Sequence, residues 1–175
     1  MQLSQLGPRI CILGPTNSGK STLAAAIGRK LELPVIHLDR LYHVPGSDWE
    51  VRPQEEFIAL HDAAIADPAW VMDGNYRICM PQRFQRATGL ILLDAPPPVR
   101  LWRFLRRTFS RGARAGALEG QRDSLKWPML YHVAITSARK QKGLEAIFDS
   151  VDLPKVKIAS RKAMRECWRS WDLGR

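Results

Sequence analysis

A chain of 175 residues with 45% hydrophobic and 25% charged residues has the length and composition of one globular domain with a sizeable core. No apolar stretch reaches bilayer-spanning length, no basic segment followed by a long apolar core stands at the N-terminus, and 3 widely spaced cysteines make neither a disulfide framework nor a metal-ligand pair, so a cytoplasmic protein without membrane, zinc or redox chemistry is expected. The formal net charge of +10 points to polyanionic partners: nucleotides, a phosphorylated acceptor, or nucleic acid.

In chain order, Arg9-Ile10-Cys11-Ile12-Leu13 is a short apolar run that predicts a buried strand, with Cys11 as a small hydrophobe inside it. It runs into Gly14-Pro15-Thr16-Asn17-Ser18-Gly19-Lys20-Ser21, a complete G-x-x-x-x-G-K-[ST] phosphate-binding loop, and Ser21-Thr22-Leu23-Ala24-Ala25-Ala26-Ile27 opens an alanine-rich helix. Strand, loop and helix in that order let backbone N–H groups and the positive helix end form a concave anion site. Residues Gly14 through Thr22 are therefore expected to bind ATP, with Lys20 reaching the β- and γ-phosphates and the Ser21 hydroxyl ligating Mg²⁺.

Leu33-Pro34 stops the helix, Val35-Ile36-His37-Leu38 reads as a second buried strand ending at Asp39, and 42–49 is a turn-rich loop. Pro53 with Glu55 and Glu56 starts a helix whose Phe57, Ile58, Leu60, Ala64 and Ile65 recur at helical spacing, ended by Asp67-Pro68. Trp70-Val71-Met72-Asp73 and Leu90-Ile91-Leu92-Leu93-Asp94 are two further apolar runs, each finished by an aspartate, and Pro96-Pro97-Pro98 leads into a helix from near Val99. From 106 to about 121 the chain is rich in arginine and glycine and reads as a basic flap; a helical segment follows from about 124 to 142. A last strand, Val156-Lys157-Ile158-Ala159, precedes a helix over about 161–168. This alternation predicts an α/β domain, a parallel sheet flanked by helices, with ligands at the carboxyl ends of the strands.

By that rule Asp39, Asp73 and Asp94 are candidates for the phosphate-loop edge. Asp73 is delivered by an apolar strand and followed by a glycine that lets the backbone turn, which suits a Mg²⁺-side carboxylate with Arg77 placed to clamp a phosphate or carboxylate; an N-cap aspartate and a surface arginine are the alternative. Asp39 could accept an acceptor hydroxyl's proton, orient Mg²⁺, or cap a turn. Asp94, before three prolines, reads as a cap or turn residue. Arg106, Arg107, Arg111, Arg114 and Arg122, with Arg139, Lys140 and Lys142, make a set of donors that could close over phosphates, although each alone fits a solvated basic face equally well. His37, His43, His61 and His132 show no metal-ligand spacing and read as packing or loop residues. Trp49 could stack on an acceptor ring or cover the core.

With these residues in view, the chain resembles the DNA topology-modulation protein family, small P-loop proteins related to adenylate kinase. The resemblance is carried by the phosphate loop, His37-Leu38-Asp39-Arg40-Leu41-Tyr42, Pro45-Gly46 with Trp49, Arg52-Pro53 with Glu55-Glu56-Phe57, Trp70-Val71-Met72-Asp73-Gly74-Asn75-Tyr76, and Leu92-Leu93-Asp94 before proline. It spans Ile10 to about Lys162. It implies a three-layer P-loop domain of the nucleoside-monophosphate-kinase type, with a five-stranded parallel sheet and a short basic lid at about 106–123. Asp73-Gly74-Asn75-Tyr76-Arg77 stands where adenylate kinases carry Asp-Gly-Phe-Pro-Arg, so the likeness gives Asp73 a metal-side role and Arg77 a phosphate clamp. It also implies that Arg107 stacks on the adenine, that Ser160-Arg161 matches the adenine-contacting position, and that Asp39 with Tyr42 is similar to the Asp-x-x-Tyr of uridine and pantothenate kinases, whose aspartate is the base. Asn75-Tyr76 in place of Phe-Pro, and the missing glycine and threonine pattern around Leu38 to Leu41, argue against AMP as acceptor.

The expected activity is Mg²⁺-dependent transfer of the ATP γ-phosphate to a small acceptor, phosphorylated or not, such as a nucleoside or nucleotide. Lys20 with the lid arginines Arg107, Arg111 and Arg114 would hold the phosphates, Ser21 and Asp73 the metal, Asp39 the acceptor hydroxyl, and Arg77 any anionic group on the acceptor. The rival expectation is a nucleic-acid-binding or regulatory ATPase, supported by the +10 charge and by Trp102, Phe104 and Phe109 among arginines, a stretch that also fits an amphipathic helix with its apolar face buried. No membrane partner is expected.

Overall fold

Alternation along the first strand, β1 (Arg9–Leu13), divides the core in two. Ile10 and Ile12 join one apolar cluster, Cys11 and Leu13 the other, and all four are fully buried. A strand apolar on both faces belongs in the middle of a parallel sheet with helices on each side. The computed structural model, which describes residues 1–47, 49–94 and 136–174 and only the backbone of 136–141, places it there. Five strands, β1, β2 (Val35–His37), β3 (Trp70–Asp73), β4 (Gly89–Leu93) and β5 (Lys155–Ile158), pair in the order β2-β3-β1-β4-β5, every pair parallel.

Among the described residues the helices are α1 (Lys20–Leu31), α2 (Leu38–Tyr42), α3 (Gln54–Ala66), α4 (Met80–Arg86), α5 (Thr136–Ser150) and α6 (Arg161–Ser170). Leu23, Ala24, Ala26 and Ile27 of α1 pack with Ile10, Ile12, Val71 and Ile91, and Met164 and Trp168 of α6 join the same layer. On the opposite face Phe57 and Ile65 of α3, Met80 of α4, and Leu144 and Phe148 of α5 cover Cys11, Leu13, Met72, Leu90 and Leu92. The result is the expected three-layer α/β arrangement, with β3 and β4 on either side of β1 and every strand end on one edge.

Three local expectations are corrected. Leu38 and Asp39 do not extend the second strand but form the first turn of α2. The reason lies in the ladder: His37 pairs with Asp73, the last residue of β3, so no partner remains for Leu38. Helix α4 and the 3₁₀ turn Arg77–Cys79 before it fill a stretch in which no helix was expected; Pro81 sits in the first turn of α4, where its missing N–H costs nothing. Helix α5 runs to Ser150 rather than ending near Lys142. The helix expected from Val99 and the basic flap at about 106–123 lie outside the described residues. No helix among the described residues is long and apolar enough to cross a membrane.

Candidate active site

Where β1 ends, Gly14 is held at φ 149°, and a Cβ there would lie 2.6 Å from the carbonyl oxygen of Leu93 on β4. Only glycine lets the phosphate loop leave the sheet through that gap. Gly19, at φ 99°, then turns the chain into α1. Lys20 folds back over the loop, its Nζ donating to the carbonyls of Gly14 (2.9 Å) and Pro15 (3.0 Å). Burial lowers the basicity of this ammonium, while the Asp39 and Asp73 carboxylates work in the opposite direction. Its charge therefore interacts with Asp39 and Asp73, two of the three aspartates named as candidates in the sequence.

Asp73, at the end of β3, is buried and bonded through both carboxylate oxygens. The Ser21 hydroxyl donates to Oδ2 at 2.7 Å, and His37 Nδ1 lies 2.5 Å from Oδ1. An ionised carboxylate only accepts, so Nδ1 carries the proton in that bond. Hard oxygen donors are what Mg²⁺ takes, usually one or two from protein with phosphates and water completing the shell. A serine hydroxyl and a carboxylate joined to each other where the phosphate loop enters α1 match that donor set. Among the described residues no group of three or more His, Cys, Asp and Glu side chains is placed to cage a metal.

Asp39, in the first turn of α2 directly after β2, is exposed and receives a hydrogen bond from the Tyr76 hydroxyl to Oδ1, at 2.7 Å. Burial, followed by the Asp39 charge, pushes the Tyr76 phenol upward, so it stays a donor. Tyr76 is fixed by rings: its centroid lies 4.7 Å from that of Tyr42 and 5.1 Å from that of Phe57. Trp49 does not cover the core; it is 40% exposed and meets His43 edge-to-face at 5.1 Å. Arg77 is exposed and its guanidinium runs against α5, where a Cβ on Gly143 would come 2.2 Å from Nη2. Gly143→Ala should displace Arg77 at little cost in stability, because the obstructing group is the far end of a flexible side chain. Should Arg77 grip the acceptor, that variant raises the acceptor KM several-fold and leaves ATP affinity alone; steady-state kinetics with each substrate varied in turn checks it.

Asn75 joins the two halves. Its side-chain amide accepts from Gly14 N–H (3.1 Å) and donates to Gly14 C=O (2.8 Å), pinning the first residue of the phosphate loop to the turn after β3. Asn75→Ala orphans a buried backbone donor and is expected to cost about 1–3 kcal/mol. Thermal unfolding should then show a melting temperature lower by several degrees. Beneath the same turn Arg83 of α4, fully buried, donates to the Gly74 carbonyl at 3.1 Å. Cys11 is inert here: burial raises its thiol to about 11.

The residues singled out in the sequence divide accordingly. Gly14, Pro15, Lys20, Ser21, Asp39 and Asp73 meet at one edge of the sheet, and Thr16 and Thr22 are exposed on the loop and first turn. Arg161 opens α6 directly after Ser160, whose hydroxyl caps Ala163 N–H at 3.0 Å. Asp94 is more than a turn residue, since Lys157 reaches it at 3.4 Å and Glu145 of α5 at 2.7 Å. Arg106, Arg107, Arg111, Arg114 and Arg122 lie outside the described residues, as do the side chains of Arg139 and Lys140. Sequence reasoning missed His37, Asn75, Arg83 and Gly143 as parts of the site.

No protein-family model matches the chain, and no curated protein matches it. Among solved structures it is similar to a gluconokinase from Sinorhizobium meliloti 1021, with a TM-score of 0.58 and 16% identity over 96% of this chain and 93% of that one. It is likewise similar to a shikimate kinase from Acinetobacter baumannii in complex with shikimate, with a TM-score of 0.57 and 12% identity over 95% of this chain and 92% of that one. The chain thus has the fold of these two kinases over nearly its whole length.

Proposed function

We propose that this protein is a P-loop phosphotransferase that moves the γ-phosphate of ATP to a hydroxyl of a small acceptor, a nucleoside, nucleotide or similar molecule. One observation carries the reading: Lys20 folds over a phosphate loop and interacts with two differently held aspartates, Asp73 bonded to Ser21 and Asp39 held by Tyr76. In this reading Asp73, the last residue of β3, is the metal-side carboxylate and Asp39, in the helical turn that follows β2, the acceptor-side one, an arrangement that suits in-line transfer. The fold shared with two kinases supports it.

In this reading the loop N–H groups and Lys20 hold the β- and γ-phosphates. Ser21 and Asp73 would hold Mg²⁺, which when bound offsets charge on the phosphates. Asp39 accepts the acceptor hydroxyl's proton, Arg77 pairs with an anionic group of the acceptor, Arg161 contacts the adenine, and Arg107, Arg111 and Arg114 form a lid with Arg107 against the base. A single domain with that lid, working in the cytoplasm, completes the proposal. We also propose kinship with the DNA topology-modulation family. What supports it is that its two most specific segments touch, His37 with Asp73 and Asp39 with Tyr76.

The test is a screen of nucleosides, nucleotides and hydroxylated metabolites, with single-stranded and duplex DNA as further arms, for ADP release above the acceptor-free rate. A small acceptor that raises ADP release supports the kinase. Stimulation by DNA alone, falling steeply with salt, would favour the nucleic-acid-associated ATPase.

A further inference from the structure

We propose that His37 is a positioning residue for the metal side of the site: its Nδ1–H fixes the plane of the Asp73 carboxylate so that Asp73 and Ser21 present their oxygens to Mg²⁺ together. This rests on the phosphotransferase reading above and adds a residue to it. A carboxylate turns readily about its last torsion, which has broad minima. One hydrogen bond from Ser21 to Oδ2 would leave that rotation loose, whereas a second bond to Oδ1 from the opposite side stops it. His37 is built for the task by the sheet, because it is the register partner of Asp73 in the parallel β2–β3 pair, and neighbours in register carry side chains to the same face.

The pair is also shielded, with 9% of the His37 side chain and 6% of the Asp73 side chain exposed, so water competes little for the bond. His37 is the last residue of its strand and Leu38 already belongs to α2. The histidine therefore sits at the one point where β2 can reach the end of β3. Hydrogen-bond partners of this kind, behind the groups that touch a metal, typically cost about 10–100-fold in metal affinity when removed.

Two substitutions separate positioning from packing. His37→Phe keeps a ring and removes the donor; His37→Asn replaces the ring with a carboxamide but keeps an N–H close to the place of Nδ1. The readout is the affinity for ATP, measured by calorimetry across a Mg²⁺ series that begins with chelator and no metal. For His37→Phe, metal-free ATP affinity should stay within about two-fold, while the Mg²⁺ concentration that produces half the gain in affinity rises about 10–100-fold. His37→Asn should stay near the parent curve. The proposal is overturned if His37→Phe superposes on the parent, or if metal-free affinity falls in step with the metal-dependent part. It is equally overturned if His37→Asn loses the metal response, which decides the matter even should His37→Phe not fold. Failure of the underlying reading looks different: Ser21→Ala and Asp73→Asn would then leave the Mg²⁺ curve unmoved.

Discussion

Lys20→Ala is expected to lower turnover by about a hundred- to a thousand-fold, the loss seen when a preorganised charge-stabilising donor is removed. Charge shifts during transfer among the oxygens nearest this ammonium, and among the described residues Lys20 is the cation folded over the loop. Nucleotide affinity should fall less than rate, because loop N–H groups and the N-terminal end of α1 still hold the phosphates. The fold should survive: the partners given up are two backbone carbonyls of the loop, Gly14 and Pro15, which water can serve. Turnover, ATP titration and thermal unfolding of the variant check these points together. Unchanged turnover in a folded variant would remove the phosphate loop from the chemistry.

Asp39→Asn is expected to cut turnover with the acceptor by about a hundred- to ten-thousand-fold, the range for a general base, with ATP affinity almost unchanged. The substitution is chosen because asparagine keeps an oxygen for the Tyr76 hydroxyl and so preserves the geometry while giving up basicity. Comparing kcat with acceptor against calorimetric ATP binding separates the effects. Tyr76→Phe, which frees the carboxylate without removing it, should lose less. A parent-like rate in Asp39→Asn would end the assignment of this residue as base.

The difference between what could be read ahead and what could not follows from sequence distance. The phosphate loop declares itself within eight consecutive residues, and the strands declare themselves by short apolar runs closed by proline, glycine or aspartate. Both signals are local, and with them came the parallel sheet, the helices on its faces and Asp73 at the end of its strand, whereas Asp39 lies in the first turn of a helix. The histidines show no metal-ligand spacing among themselves, and the partner of His37 is a single aspartate 36 residues away, brought alongside by strand register. The Asn75 amide on Gly14 spans 61 residues and looks in the sequence like part of a turn. Gly143 carries no signal at all in a helical stretch, since its meaning depends on the guanidinium of Arg77 lying across it. Helix α4 escaped because it is short and buries Arg83 along with Met80.

The central claim concerns the destination of the γ-phosphate. ATP labelled at that phosphorus, incubated with Mg²⁺, the protein and an acceptor found by the ADP-release screen, can be followed until the label has left ATP. The label is expected to appear as a phosphate ester of the acceptor in step with ADP, with little inorganic phosphate, and Lys20→Ala and Asp39→Asn are both expected to suppress the ester. Label released wholly as inorganic phosphate, at a rate indifferent to small acceptors and to Asp39→Asn, would contradict that claim and leave an ATPase.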